Sequence, residues 1–229
     1  KYLERGGKMA FFHEDISREE VILYLGALFH DVGKFSQRTG DGEQKKVIQR
    51  KFATIIGDEN RDCIKHQEWS TYFADKFLND DLAGTVILKH HRPETLLQYL
   101  VAIGDKLSAA EREPADTEQK PDAKTVPLVA ILSQVSINGN QSETAYKKLQ
   151  PISTKSPDDL APAASPEKAL SNKAYVELWG QFINELKGID FKNENHKLWV
   201  LTSLLEKYST NIPSAAYYSK PTISLWLHS

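Results

Sequence analysis

The sequence contains one cysteine, Cys63, and one methionine, Met9. A single thiol can neither close an intramolecular disulfide nor build a thiolate zinc cluster, which favours a reducing, cytoplasmic setting. Long apolar runs are also missing. The longest, "VILYLGALF" at 21–29, falls far short of the roughly 20 residues a membrane span needs, and the first residues carry no signal-peptide pattern. Nor is there an excess of charge of one sign: 29 Lys and Arg against 31 Asp and Glu give a net charge of −2. The chain as a whole therefore has no electrostatic pull toward nucleic acid, and an anionic substrate would need a local site such as a bound metal. What remains is the composition of an ordinary globular protein, 40% hydrophobic and 26% charged over 229 residues. That length suits one large domain, or one domain with a smaller attachment.

Helical patterning dominates the first half. Ser17, with Glu20 three residues on, forms a capping box for a helix over 17–31. Val21, Leu25 and Leu28 recur at helical spacing, Ile22 and Phe29 widen the stripe, and Gly33 is placed to end the helix in a left-handed cap. "RTGDGEQKK" reads as a polar loop. Further helices are expected at about 44–55, 61–78, over "AGTVILKHH", and at about 94–112 after Pro93. The composition then changes. "EPADTEQKPDAK" is a polar linker, and "TVPLVAILSQVSI" with "ETAYKKLQPIS" suggests a β-hairpin over about 125–153, turned at Asn138–Gly139. Helices resume over about 167–208.

The residues that can carry chemistry are His30, Asp31, His66, His90, His91 and Asp105, all in the helical first half and each on a helix or at a helix end. His30 and Asp31 close an apolar helix, where the negative pole of the backbone favours a cation. Asp105 sits among Ala102, Gly104, Ser108 and Ala109, in a helix suited to close packing; a carboxylate there is costly unless it is paired or metal-bound. Each has a plainer reading. His66 alone is a hydrogen-bonded histidine, His90 and His91 a polar helix end, Asp105 a partner for Lys106 or Arg112, and Lys34 a favourable charge at a helix C-terminus. Their concentration in one predicted domain favours a metal site instead. Imidazole and carboxylate donors suit transition metals rather than calcium. With one or two ions, Asp31 would be the bridge and Lys34, one turn past His30, would meet a substrate phosphate. His13 is read as part of the first helix's approach, and His196 and His228 as structural.

At these residues the sequence resembles the HD-domain metal-dependent phosphohydrolases. More narrowly, it is similar to the N-terminal HD domain of the large, polymerase-like subunit of type III CRISPR effector complexes, Csm type. The matching text is "LGALFHDVGKFSQR", "KH" with a serine at 70, "KHH" at 89–91, "GDKLSAAER" at 104–112 and the tail "NIPSAAYYSKPTISLWLHS". Gly104 replaces the family's usual alanine. Trp226 and His228 stand where an aspartate-containing motif is common, and the Gly-Gly-Asp-Asp signature of the palm is absent.

The resemblance implies a mainly α fold: an HD-domain helical bundle, followed by a small α/β linker region with a β-hairpin and two helices. Residues 1–8 are expected to be an artificial leader, 9–112 the HD nuclease domain, and 113–229 a linker region leading to a palm domain outside this sequence. It further implies an antiviral, cytoplasmic single-stranded DNA nuclease that hydrolyses phosphodiesters with metal-activated hydroxide. His30, Asp31 and Lys34 would be catalytic, and His30, Asp31, His66, His90 or His91, and Asp105 would hold manganese, nickel or cobalt. The implied partners are single-stranded DNA and the other subunits of a guide-RNA complex, with no membrane. The alternatives are a phosphohydrolase of nucleotides or cyclic nucleotides, and a non-catalytic scaffold that docks partner subunits.

Overall fold

A computed structural model describes residues 16–56, 64–110, 126–137, 140–141, 143–153 and 161–213. Helices dominate it. The first half holds α1 (Arg18–Phe29), α2 (Val32–Arg38), α3 (Gly42–Ile56), α4 (His66–Phe73), α5 (Asp81–Lys89) and α6 (Leu96–Ala110). The second half holds α7 (Pro166–Ala169), α8 (Asn172–Lys187) and α9 (Glu194–Ser209). Among the described residues no helix is long and apolar enough to cross a membrane.

The local signals act as expected at α1. The Ser17 hydroxyl accepts from the Glu20 amide at 3.2 Å, and Glu20 accepts from the Ser17 amide at 2.8 Å. The end of α1 differs. No left-handed cap forms at Gly33, since Gly40, at 70°, is the glycine with positive φ among the described residues. The chain instead turns at His30–Asp31, where Asp31 has φ −106° and ψ 0°, and starts α2 at once. Gly33 lies inside α2, at its crossing with α4. A Cβ there would stand 2.0 Å from the His66 carbonyl oxygen, so only a residue without a side chain permits the contact. The Gly33 amide donates to the Ser70 hydroxyl at 2.7 Å, joining the two helices. The expected loop over "RTGDGEQKK" is shorter than its composition suggests, because Asp41 accepts from the Gln44 amide at 2.9 Å and helps start α3.

The main core does not stop at residue 112. Val21, Leu25 and Phe29 of α1 and Val32 and Phe35 of α2 bury against Tyr175, Leu178 and Phe182 of α8 and Leu198, Leu201 and Leu205 of α9. Phe35 packs edge-on to Trp179 at 4.9 Å, and Phe73 stacks on Phe182 at 5.8 Å. Arg38, buried at the end of α2, donates to the Pro213 carbonyl at 2.7 Å and to the Tyr175 hydroxyl at 3.3 Å. A smaller apolar cluster, Ile22, Val86 and Val101, fixes α6 against α1 and α5.

Of the hairpin expected over about 125–153, the described residues contain a short antiparallel ladder, β1 (Ser136–Ile137) against β2 (Asn140–Gln141). Its turn, Asn138–Gly139, lies outside them. The preceding Ile131–Gln134 forms a 3-10 turn in place of a strand. Ile131 and Leu132 are exposed there, with no apolar partner face to hold them extended.

Candidate metal centre

Four separate elements bring the chemistry-bearing side chains to one place. His30 and Asp31 come from the α1–α2 corner, His66 from the first turn of α4, His90 and His91 from the end of α5, and Asp105 from α6. Two trios have ligand atoms within 4.8 Å of one another: His30, Asp31 and Asp105, and His66, His90 and His91. Asp31 faces both. Its Oδ2 lies 3.6 Å from His30 Nε2, and its Oδ1 lies 3.3 Å from His66 Nε2. Asp105 Oδ1 lies 3.7 Å from His30 Nε2. His66 Nε2 and His91 Nε2 are 3.1 Å apart. Lys34 forms an ion pair with Asp31 Oδ2.

The helix ends orient two of these rings in the same way. His30 is the C-cap of α1 and donates from Nδ1 to the Ala27 carbonyl at 2.7 Å. His90 is the C-cap of α5 and donates from Nδ1 to the Ile87 carbonyl at 2.6 Å. Both bonds satisfy a carbonyl that the helix end would leave free, and both place a proton on Nδ1, leaving Nε2 as the nitrogen that faces the cluster. Gln98, buried on α6, accepts from the Glu94 and Thr95 amides at 2.8 and 3.1 Å. It thereby anchors the helix that carries Asp105. The Gln98 bonds span three and four residues, so the Thr95-x-x-Gln98 pattern was a signal that could have found them; Ser70's bond to Gly33 joins residues 37 apart and has no local sign.

The cluster's charge states follow from burial and neighbours. Burial lowers His66 to about 3 and His90 to about 4, so both rings are neutral at pH 7. Burial also lowers His91, the most exposed of the rings. Burial pushes His30 down, but the Asp105 and Asp31 carboxylates outweigh it and hold this ring above its ordinary value. Burial would raise Asp31, yet His30, Lys34 and His66 keep it below the usual carboxylate range. Asp105 is held low chiefly by His30.

His90 Nε2 tests whether a metal fits. It is buried and has no hydrogen-bond partner, an arrangement that costs free energy unless something accepts its lone pair. The donor set around it is imidazole nitrogen and carboxylate oxygen, the chemistry of a first-row transition-metal site. The residues therefore fit a divalent transition ion, with Asp31 able to serve both trios. Of the other histidines, His196 lies apart on α9, where its Nδ1 accepts from the Lys192 amide at 3.2 Å. His13 and His228 lie outside the described residues, as does Arg112, the alternative partner considered for Asp105.

The HD domain family profile matches residues 6–120. The chain is also similar to a Methanocaldococcus jannaschii protein described as "CRISPR system single-strand-specific deoxyribonuclease Cas10/Csm1 (subtype III-A)". The two are 30% identical over 231 aligned positions, covering 92% of this chain and 27% of the relative. A Streptococcus thermophilus protein of the same description is 26% identical over 207 positions, covering 87% of this chain and 25% of the relative. The chain thus spans about a quarter of the length of these curated relatives.

Proposed function

The chain belongs to the HD domain family, and from that premise we propose that it is the metal-dependent, single-stranded DNA nuclease domain of a type III CRISPR effector large subunit. The observation that carries the reading is the bare, buried Nε2 of His90 inside a cluster of imidazoles and carboxylates. The similarity to two single-strand-specific deoxyribonucleases favours single-stranded DNA as the substrate. The protein works in the cytoplasm, beside the other subunits of a guide-RNA complex.

In this reading His30, Asp31, His66, His90, His91 and Asp105 hold one or two divalent ions, with manganese, nickel and cobalt favoured by the donor set. When bound, the metal supplies Lewis acidity at the phosphoryl oxygen and lowers the pKa of water at neutral pH. The chain's residues do the rest. His66 and His90, neutral because they are buried, offer lone pairs without first losing a proton. The backbone bonds of His30 and His90 keep Nε2 of each of these two rings aimed inward. Lys34, paired with Asp31 yet partly exposed, sits where its ammonium can meet a non-bridging phosphate oxygen as charge builds on it. The region after residue 112 leads toward a palm domain. Because α8 and α9 complete the core beneath α1 and α2, residues 9–112 and this later region make one folding unit.

The test is cleavage of a labelled single-stranded oligonucleotide by metal-stripped protein reloaded with Mn²⁺. The wild type should cleave, and His30→Ala with Asp31→Ala should not, with helical circular dichroism retained. Unchanged cleavage by the double variant refutes the assignment. Turnover of nucleotides with no action on DNA would replace it with a nucleotide phosphohydrolase, and failure to bind metal at all would leave a scaffold.

A further inference from the structure

Each part of the cluster has a cation as its immediate neighbour in the chain. Lys65 precedes His66, Arg92 follows His91 and Lys106 follows Asp105. They come from three elements: Lys65 is the N-cap of α4, Arg92 lies in the turn that closes α5, and Lys106 is on α6. Adjacent residues have Cα atoms about 3.8 Å apart, so elements that converge at the cluster bring the backbone of these three long cations near it. All three are exposed, and none makes a side-chain ion pair or hydrogen bond among the described residues. Elsewhere in the same helical block four cations have carboxylate partners, while Lys45, Arg50 and Lys76 have none among the described residues. Arg18 pairs with Asp80, Lys46 with Glu43, Lys51 with Asp75 and Lys89 with Glu94.

The two cluster carboxylates do not account for this excess. Asp31 already has Lys34, and Asp105 is directed at His30. Once the cluster holds a divalent ion, three more unpaired cations around it repel it and one another unless an anion lies between them. The net charge of −2 shows that this surplus is local. We infer that Lys65, Arg92 and Lys106 form a cationic rim that carries the backbone phosphates of a single strand on either side of the bond at the metal centre. This rests on the nuclease reading and deepens it. The strand is held through its phosphates, without base readout, so binding is sequence-tolerant and strongly salt-dependent.

The test compares Lys65→Gln/Arg92→Gln/Lys106→Gln with Lys168→Gln/Lys173→Gln/Lys192→Gln, which loses the same charge from exposed sites on α7, α8 and the α8–α9 connection. Steady-state cleavage of oligo-dT with Mn²⁺ is measured across a salt series. The rim variant should show a KM at least about tenfold higher and a log(kcat/KM) against log[salt] slope shallower by about 2, at about 0.7 per phosphate contact. The control should follow the wild type. A rim variant with the wild-type slope, or a control with an equal loss, overturns the rim. Wild-type hydrolysis of bis(p-nitrophenyl) phosphate tests the site separately. If Mn²⁺-loaded wild type attacks neither this diester nor DNA, the nuclease reading fails. The rim is then decided by oligo-dT anisotropy in EDTA: weaker binding by the rim variant than by the control keeps it, and equal binding removes it.

Discussion

Replacing Gly33 with alanine puts a methyl carbon 2.0 Å from the His66 carbonyl oxygen, 2.6 Å from the Ser70 amide nitrogen and 2.7 Å from the Ser70 hydroxyl. Two of these three atoms are backbone, so no side chain can swing away. Relief requires α2 and α4 to part by about 1 Å, since contacts below 3.0 Å are essentially never seen. Overpacking of this kind costs about 1–3 kcal/mol. Parting also stretches the 2.7 Å bond from the Gly33 amide to Ser70, and a buried donor left without its partner costs about 1–3 kcal/mol more. Alanine's better helix propensity returns about 1 kcal/mol. The net loss is about 1–5 kcal/mol, a large share of the 5–15 kcal/mol typical of a domain. The struck carbonyl belongs to His66, so the same displacement pulls His66 Nε2 away from Asp31, 3.3 Å distant. Metal affinity should therefore fall by about tenfold or more, equivalent to about 1.4 kcal/mol. Urea denaturation followed by circular dichroism reads the first effect, and calorimetric Mn²⁺ titration the second. Gly104→Ala is the matched control: a Cβ there meets nothing within 4 Å, so it should leave stability unchanged or raise it by up to about 1 kcal/mol. A Gly33→Ala protein with the wild-type urea midpoint and metal affinity would refute the reasoning.

Ser70→Ala removes only the acceptor for the Gly33 amide, and should cost about 1–3 kcal/mol in urea denaturation while weakening Mn²⁺ binding less than Gly33→Ala does. In metal-free protein, His66 at about 3 and His90 at about 4 lie below the unfolded value of 6.5. The unfolded chain therefore takes up protons first, and the stability these rings contribute is complete above pH 6.5 and lost as pH falls toward 4. His30, raised, contributes with the opposite sign, with stability present below 6.5 and lost as pH rises above it. The two depressed rings outweigh it, so urea midpoints should drop between pH 7 and 4.5, and His90→Gln should flatten that slope; a slope unchanged by the variant contradicts the burial argument. Arg38→Met removes the donor to the Pro213 carbonyl and should lower the unfolding free energy from urea denaturation by about 1.5–3 kcal/mol, the worth of a hydrogen bond to a charged group.

The features legible in the sequence were those set by near neighbours. Ser17 and Glu20 cap α1 because both partners lie within one turn of chain; His30, Asp31, His90 and His91 stood out as polar closers of apolar helices, and Asp105 as a carboxylate in a small-residue, apolar helix. The end of α1 at His30–Asp31 was legible, but the immediate restart as α2 was hidden, because seven residues, Val32–Arg38, are too short to show a period of their own. Gly33 was read as a terminator because its reason for lacking a side chain, the His66 carbonyl, arrives from 33 residues farther along the chain. The β-branched stretch around Ile131 has strand propensity, yet propensity there has no buried face to act on. The reach of the core beyond residue 112 was invisible for the same reason, since Phe35 and Phe182 are brought together only by the finished fold.

The core that joins α1 and α2 to α8 and α9 also sets a timetable for synthesis. Phe29 and Phe35 leave the ribosome early, but their partners Phe182, Leu201 and Ile212 follow as much as about 180 residues later, roughly ten to forty seconds at 5–20 residues per second. Until then α1 and α2 have only part of their floor, from Phe73, Ala83 and Ile87, and lack the part that α8 and α9 supply. A nascent chain stopped near residue 112 would carry every cluster residue over an unfinished core. The order in which the core is delivered thus sets when the cluster can reach its final spacing.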